Sequence, residues 1–146
     1  MTWLAALAVA TGSRLSGERP QEKVTADMDK LIGTWICIAG AIDGKPIPEE
    51  TAKQLRLVLT KSTYTTLRGD QTLFESTYSL DPAASPKTID IVGTEGENAG
   101  KAAQGIYEVE GDDLRLCYTM PGRDRPRAFD SKPGSGAYNI VWKRSK

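Results

Sequence analysis

From residue 31 onward, the chain is a succession of short runs in which apolar and polar residues alternate. This alternation is the period of a half-buried β-strand, and it is plain in Leu114-Arg115-Leu116-Cys117-Tyr118. All eight prolines lie outside the runs, as expected of a residue that cannot donate a hydrogen bond to a sheet. The pattern predicts eight strands, at residues 31–41, 55–60, 63–67, 72–80, 88–92, 105–109, 113–120 and 137–143.

Eight short strands separated by turn residues indicate a barrel or a sandwich, and the lengths of the connections favour the barrel. The long connections are residues 42–54, 93–104 and 121–136, and in up-and-down order all three fall at the same end. We therefore predict an all-β fold, an eight-stranded antiparallel up-and-down barrel whose long loops form a mouth. Residues 48–54 begin with Pro48-Glu49-Glu50, which predicts a short helix in the first long connection.

The first and last strands carry residues that suit closure of the tight end of such a barrel. Gly33 lets the backbone pass close to a bulky group, and Trp35 supplies a large apolar side chain two residues later. In the up-and-down order the last strand finishes beside the first, next to Trp35. We expect Gly33, Trp35 and Arg144 to close the barrel, with the guanidinium lying across the indole face.

The residues before the strands divide into two segments. Residues 2–10 are uncharged and apolar, and Ala8-Val9-Ala10 has the small-x-small form of a signal-peptidase site. We interpret residues 1–10 as a partial signal peptide without its basic start, residues 11–27 as a linker and residues 28–146 as the barrel domain. This predicts an exported protein of the periplasm or cell envelope with no membrane span after cleavage; a tail on a cytoplasmic protein is the alternative.

Composition argues against several function classes. Lysine plus arginine and aspartate plus glutamate both total 19, so the basic excess that a nucleic-acid-binding protein needs is missing. The chain has no histidine, the commonest general base and metal ligand. Nothing in the spacing of the carboxylates singles out a general acid and base. We expect no catalytic residue, no metal, no cofactor, no enzyme activity and a monomeric state.

The two cysteines are predicted to point to opposite sides of the barrel wall. If Trp35 points inward then so does Cys37, whereas Cys117 alternates with Leu116 and Tyr118 and points outward. Because the two side chains lie on opposite sides of the wall, we do not expect a disulfide between them. A disulfide is the alternative if the protein is exported.

Candidate ligand-binding residues come from the predicted interior and from one loop. An eight-stranded barrel either fills with side chains or leaves room for one small ligand, and buried tyrosine hydroxyls need hydrogen-bond partners that a ligand can supply. Arg123, Arg125 and Arg127 alternate in the last long loop and suit an anion; the alternative is that they are solvated loop charges or form ion pairs that brace the barrel. The predicted ligand-binding residues are Tyr64, Tyr78, Tyr107, Tyr118, Arg125 and Tyr138.

A series of motifs with fixed spacing runs from Leu31 to Arg144: Leu31-Ile32-Gly33-Thr34-Trp35, Asp43-Gly44-Lys45-Pro46-Ile47-Pro48, Leu80-Asp81-Pro82, Pro86-Lys87-Thr88-Ile89-Asp90, Thr94-Glu95-Gly96, Gly105-Ile106-Tyr107-Glu108, Gly111-Asp112, Leu114 to Tyr118, Arg125-Pro126 and Ser131-Lys132-Pro133-Gly134-Ser135-Gly136. With these motifs the chain resembles an uncharacterised lipocalin-like family, of the calycin type, that is expanded in planctomycete bacteria. The resemblance implies an exported single-domain barrel and brings no activity with it.

The sequence therefore predicts an exported lipocalin-like barrel that binds a small apolar or amphipathic molecule in its lumen. The alternative is an envelope module with a filled core that binds a protein or a cell-wall component. Such a module is expected to expose a contiguous apolar patch on its outer face, at Ile36, Ile38, Val58 and Val141.

Overall fold

The computed structural model describes residues 20–146, so the predicted partial signal peptide lies outside the described residues. In chain order the elements are helix α1 (Pro20–Leu31), β1 (Gly33–Ile42), β2 (Lys45–Pro46), helix α2 (Glu49–Ala52), β3 (Leu55–Leu59), β4 (Thr63–Arg68), β5 (Gln71–Asp81), β6 (Thr88–Gly93), a 3-10 turn (Gly96–Asn98), β7 (Ala102–Glu110), β8 (Asp113–Thr119) and β9 (Ala137–Arg144). None of the helices in this part of the chain is long and apolar enough to cross a membrane.

The strands form one closed antiparallel barrel. From β3 to β9 each strand pairs with the next along the chain, β1 pairs with β3, and β1 also pairs with β9 to close the ring. The two-residue strand β2 pairs with the end of β1 and lies outside the ring of eight. The predicted eight-stranded up-and-down barrel is confirmed, and α2 is the short helix expected in the first long connection.

The connections differ in length at the two ends of the barrel. Residues 43–54, 94–101 and 120–136 join strands at one end, together with the tight turn at residues 69–70. We call this end the mouth. The opposite end, with connections 60–62, 82–87 and 111–112, is the closed end.

The closed end brings the first and last strands together around Trp35. The Arg144 guanidinium carbon lies 4.3 Å from the centre of the Trp35 ring, and Nη1 of Arg144 donates to the Ile32 carbonyl oxygen at 3.0 Å. Gly33 has φ of +139°, and a Cβ there would lie 2.9 Å from Nη1 of Arg144. The Arg144 guanidinium therefore lies across the Trp35 ring, and the positive φ at residue 33 favours glycine there.

Helix α1 begins inside the segment interpreted as a linker, residues 11–27. Its buried and half-buried side chains are Val24, Asp27, Met28 and Leu31, which recur at the three- and four-residue spacing of one helix face. Met28 and Leu31 pack against the barrel core. The folded unit therefore starts by residue 20, eight residues before the predicted domain boundary at Met28.

The long loop at residues 120–136 folds down over the outer face of the barrel. Beneath it Ile106, Cys117 and Ala137 form a small buried cluster with Phe129, separate from the main core that contains Cys37. The two cysteines are both buried free thiols, one inside the barrel wall and one outside it. The inward and outward placement of the cysteines agrees with the alternation of the strands.

Candidate ligand-binding cavity

A cavity of about 430 Å³ opens at the mouth of the barrel. Its volume lies in the range of small-molecule sites, which span roughly 300–1,000 Å³. The lining residues come from β4 to β9 and from the mouth loops: Tyr64, Thr66, Thr72, Leu73, Phe74, Glu75, Ser76, Ile91, Gly93, Glu95, Gly96, Asn98, Lys101, Ala103, Tyr118, Met120, Pro121 and Tyr138.

Small residues line the cavity on three neighbouring strands. Ser76 on β5 and Ala103 on β7 are buried, and Gly93 on β6 pairs with Ser76 in the sheet and faces the backbone of Asn98. Elsewhere the inward positions carry large side chains such as Trp35 and Trp142, which are fully buried and fill the core. The change from large to small side chains leaves the gap at the mouth.

Gly93 also lets the connection between β6 and β7 fold back over the rim. The Gly100 amide donates to the Gly93 carbonyl oxygen at 2.9 Å, and the Gly93 amide donates to the Lys101 carbonyl oxygen at 3.2 Å. A Cβ on Gly93 would collide with the carbonyl group of Asn98. Residues 94–101 are therefore held as one wall of the mouth by backbone hydrogen bonds.

Three tyrosines form the aromatic part of the cavity. Tyr118 and Tyr138 face each other across β8 and β9, and their rings stack with centroids 4.9 Å apart and planes 9° apart. Tyr64 lies opposite Ser76 in the β4–β5 pairing. Burial raises the pKa of Tyr64 well above its usual value, and the neighbouring Tyr118 hydroxyl raises it further. Burial likewise raises the pKa of Tyr118, so both phenols are neutral across the physiological pH range.

An irregularity in β5 adds two apolar side chains to the rim of the cavity. The register with β4 shifts between Thr66, opposite Phe74, and Leu67, opposite Thr72, which leaves Leu73 as an extra residue. Leu73 and Phe74 both line the cavity although they are consecutive in the strand, and both are largely exposed for apolar residues. The bulge thus places two apolar side chains where a ligand would enter.

The charged groups of the cavity lie on its exposed rim. Glu75, Glu95 and Lys101 line the mouth and are exposed, and within residues 20–146 none of the three forms a salt bridge. Two carboxylates and one ammonium give the rim a net negative charge. The buried polar side chains of the lining, Tyr64 and Ser76, both carry hydroxyls.

The structure brings together Tyr64, Tyr118 and Tyr138 of the predicted ligand-binding set and places the other three elsewhere. Tyr78 packs edge to face against Tyr64, and its hydroxyl donates to the Thr60 carbonyl oxygen at 2.6 Å. Burial raises the pKa of Tyr78 to about 12. The Tyr107 hydroxyl donates to Oδ2 of Asp27 at 2.7 Å, beneath helix α1.

Arg125 braces the outer wall of the barrel. Its Nη1 donates to the carbonyl oxygens of Ile89, at 3.1 Å, and Gly105, at 2.8 Å, and its Nη2 lies 2.7 Å from Oδ1 of Asp90. It lines a groove of about 640 Å³ outside the barrel with Pro86, Ile106 and neighbouring residues. This placement matches the bracing role that the sequence left open beside anion binding.

The outer-face patch expected for the alternative function is interrupted. Of its four members only Ile38 is exposed, while Ile36, Val58 and Val141 are half-buried. Ile36 pairs with Arg56 on one side and Lys143 on the other. A charged residue therefore flanks Ile36 on each neighbouring strand.

Ser76, Ala103 and Leu73 are among the cavity residues that the predicted ligand-binding set did not include. Ser76 alternates with Tyr78 in a predicted strand, so its inward direction is readable from the period of two. Ala103 was missed because the predicted strand began at residue 105, whereas β7 begins at Ala102. The sequence signal that could have located the cavity is a small residue at an inward-facing position near the mouth.

Comparison with known protein families, curated proteins and solved structures found no match to this chain. Among residues 20–146, no group of three or more histidine, cysteine, aspartate or glutamate side chains is arranged to hold a metal ion.

Proposed function

We propose that this protein is an exported lipocalin-like barrel that binds one small apolar or amphipathic molecule in the cavity at its mouth. The observation that carries the proposal is the combination of a cavity of about 430 Å³ with an aromatic wall and buried hydroxyls. Concave, mostly apolar sites with a few polar groups are the usual form of small-molecule sites. Export and membership of the lipocalin-like family rest on the N-terminal residues and the motif resemblance.

Thermal unfolding of the purified protein with a panel of ligands tests the proposal. The panel contains fatty alcohols and acids, isoprenoids, haem-like rings and sugars. A ligand at a hundred times its Kd stabilises the native state by about 2.7 kcal/mol. For a domain of this length that raises Tm by roughly 5–10 °C.

A cavity-filling variant shows whether the ligand binds at the mouth. In Ala103→Leu the larger side chain occupies space in the cavity, so the Tm increase caused by the ligand should disappear. Ala102→Leu is the matched control, because Ala102 is the adjacent residue of the same strand and its side chain is exposed. We expect Ala102→Leu to keep the full ligand response.

Two outcomes contradict the proposal. One is a panel in which no ligand raises Tm by more than the scatter of the measurement. The other is an equal ligand response in wild type and in a folded Ala103→Leu protein, which places binding outside the cavity. If Ala103→Leu does not fold, the smaller change Ala103→Val answers the same question.

A further inference from the structure

The hydroxyls deep in the cavity have hydrogen-bonding capacity that the protein does not use. Ser76 is 7% exposed and Tyr64 is 3% exposed, and both line the cavity. The hydroxyls of Tyr64 and Tyr118 are neighbours that can hydrogen-bond to each other, and such a pair keeps one O–H free to donate. Among residues 20–146 the Ser76 hydroxyl has no hydrogen bond to another residue.

Unused hydroxyls at this depth favour a ligand with its own polar group. A polar group that is buried without a partner costs roughly 1–3 kcal/mol. A purely apolar ligand that fills the cavity would leave the Ser76 hydroxyl and the free O–H of the Tyr64–Tyr118 pair buried without a partner. A ligand with a hydroxyl or carbonyl group at its inner end would supply that partner.

The charged side chains around the cavity disfavour a ligand whose inner end carries a charge. The cationic side chain in the lining, Lys101, is exposed on the rim, so a carboxylate placed beside Tyr64 would be buried without a positive partner. An ammonium group would be drawn to the rim by Glu75 and Glu95 and would leave the inner hydroxyls unpaired. A neutral head group avoids both costs.

We infer that the ligand of the mouth cavity is a neutral amphiphile with a hydroxyl or carbonyl head, which enters head first. The head exchanges hydrogen bonds with Ser76 and with the Tyr64–Tyr118 pair, and the apolar tail leaves the cavity past Leu73 and Phe74. The inference rests on the proposed function, since it names the chemical class of the molecule bound in that cavity.

Calorimetric titration with four eight-carbon compounds tests the choice of head group on the wild-type protein. The compounds are 1-octanol, 2-octanone, octanoate and octylamine at pH 7, which share a tail and differ in the charge of the head. We expect 1-octanol and 2-octanone to bind at least ten-fold more tightly than octanoate and octylamine. This ranking needs no variant.

Two variants then locate the head. Tyr64→Phe and Ser76→Ala each remove one hydroxyl, and each is expected to weaken 1-octanol binding by about 3- to 10-fold, the effect of one neutral hydrogen bond. Thr77→Ala is the matched control, because Thr77 is exposed and adjacent to Ser76 in β5. It should leave the affinity for 1-octanol unchanged.

The outcomes separate the inference from the proposed function. Equal affinity for all four compounds, a preference for octanoate or octylamine, or unchanged octanol binding in both folded variants overturns the inference and leaves a ligand-binding cavity in place. Absence of binding by all four compounds and by the wider panel overturns both.

Discussion

Replacement of Asp27 by asparagine should loosen the attachment of helix α1 to the barrel. Asp27 is 4% exposed, and its Oδ2 accepts hydrogen bonds from Nζ of Lys87 at 2.8 Å and from the Tyr107 hydroxyl at 2.7 Å. Lys30 on the same helix lies 3.9 Å from Oδ1. Asparagine keeps the size of the side chain and an acceptor oxygen but removes the charge.

The expected cost follows from these contacts. A hydrogen bond to a charged group contributes about 1.5–3 kcal/mol and one to a neutral group about 0.5–1.5 kcal/mol, so the Tyr107 contact should lose about 1 kcal/mol. The Lys87 side chain is 40% exposed, which limits the loss of that ion pair to about 1 kcal/mol. We expect Asp27→Asn to lower the free energy of unfolding by about 2 kcal/mol, or Tm by roughly 4–8 °C.

The effect should depend on pH with a definite sign. Burial by itself raises the pKa of Asp27, but the hydrogen bonds from Lys87 and Tyr107 and the charges of Lys87 and Lys30 outweigh burial and hold the pKa below its usual value. The stabilisation is therefore complete above the unfolded-state pKa of about 3.9 and is lost as pH falls through the lower folded-state value. The difference between wild type and Asp27→Asn should be constant from pH 5 to 8 and shrink below about pH 4.

Urea unfolding at pH 7, 5, 4 and 3 measures this difference. Asp29→Asn is the control, because Asp29 is exposed on the same helix and should change stability by less than about 0.5 kcal/mol. A difference at pH 7 no larger than that of the control refutes the reasoning. So does a difference that stays the same down to pH 3.

Three further predictions concern other contacts. Arg125→Ala should lower the free energy of unfolding by about 1–3 kcal/mol, by removing the bonds to Ile89 and Gly105, and should leave the ligand-induced increase in Tm unchanged; loss of that increase in a folded variant contradicts the bracing role. Arg144→Met should remove an indole contact that contributes about 0.5–2 kcal/mol and shift tryptophan fluorescence to longer wavelength; an unchanged Tm counts against that contact. Burial raises the pKa of the Cys37 and Cys117 thiols, so an aromatic disulfide reagent at pH 8 should label them slowly in native protein and quickly in urea; equal labelling rates refute their burial.

The barrel was predictable because its determinants are local. A period of two fixes which side chains point inward, and turn residues fix where each strand ends. Once the strands are placed in up-and-down order, the distribution of loop lengths and the meeting of Trp35 with Arg144 follow from counting strand directions. These steps need no knowledge of side-chain packing.

Helix α1 was missed because its stability depends on residues far along the chain. The face made by Val24, Met28 and Leu31 is narrow, and the surrounding charged residues resemble a linker. Asp27 lies on the same face, and its partners Lys87 and Tyr107 are 60 and 80 residues away. Sequence periodicity contains no information about that pairing.

The tyrosines show that knowing which side chains point inward does not by itself locate a binding site. The alternation correctly places Tyr78 and Tyr107 in the interior, but it does not give their depth, which depends on strand tilt and register. The Tyr107 hydroxyl instead donates a hydrogen bond to Asp27, and the Tyr78 hydroxyl donates one to the Thr60 carbonyl oxygen. Of the five tyrosines in residues 20–146, Tyr64, Tyr118 and Tyr138 line the cavity.

Stability and binding should respond in opposite directions when the gap at the mouth is filled, and this distinguishes a ligand site from a packing defect. Side chains that fill a defect gain van der Waals contacts and cost no function. In this barrel the gap is lined by hydroxyls and by aromatic rings, and its rim carries two exposed apolar side chains, Leu73 and Phe74. A simple packing defect would not require exposed apolar side chains at its entrance. A variant at Ala103 that is at least as stable as wild type and no longer responds to ligand therefore identifies the small side chain at position 103 as a determinant of binding.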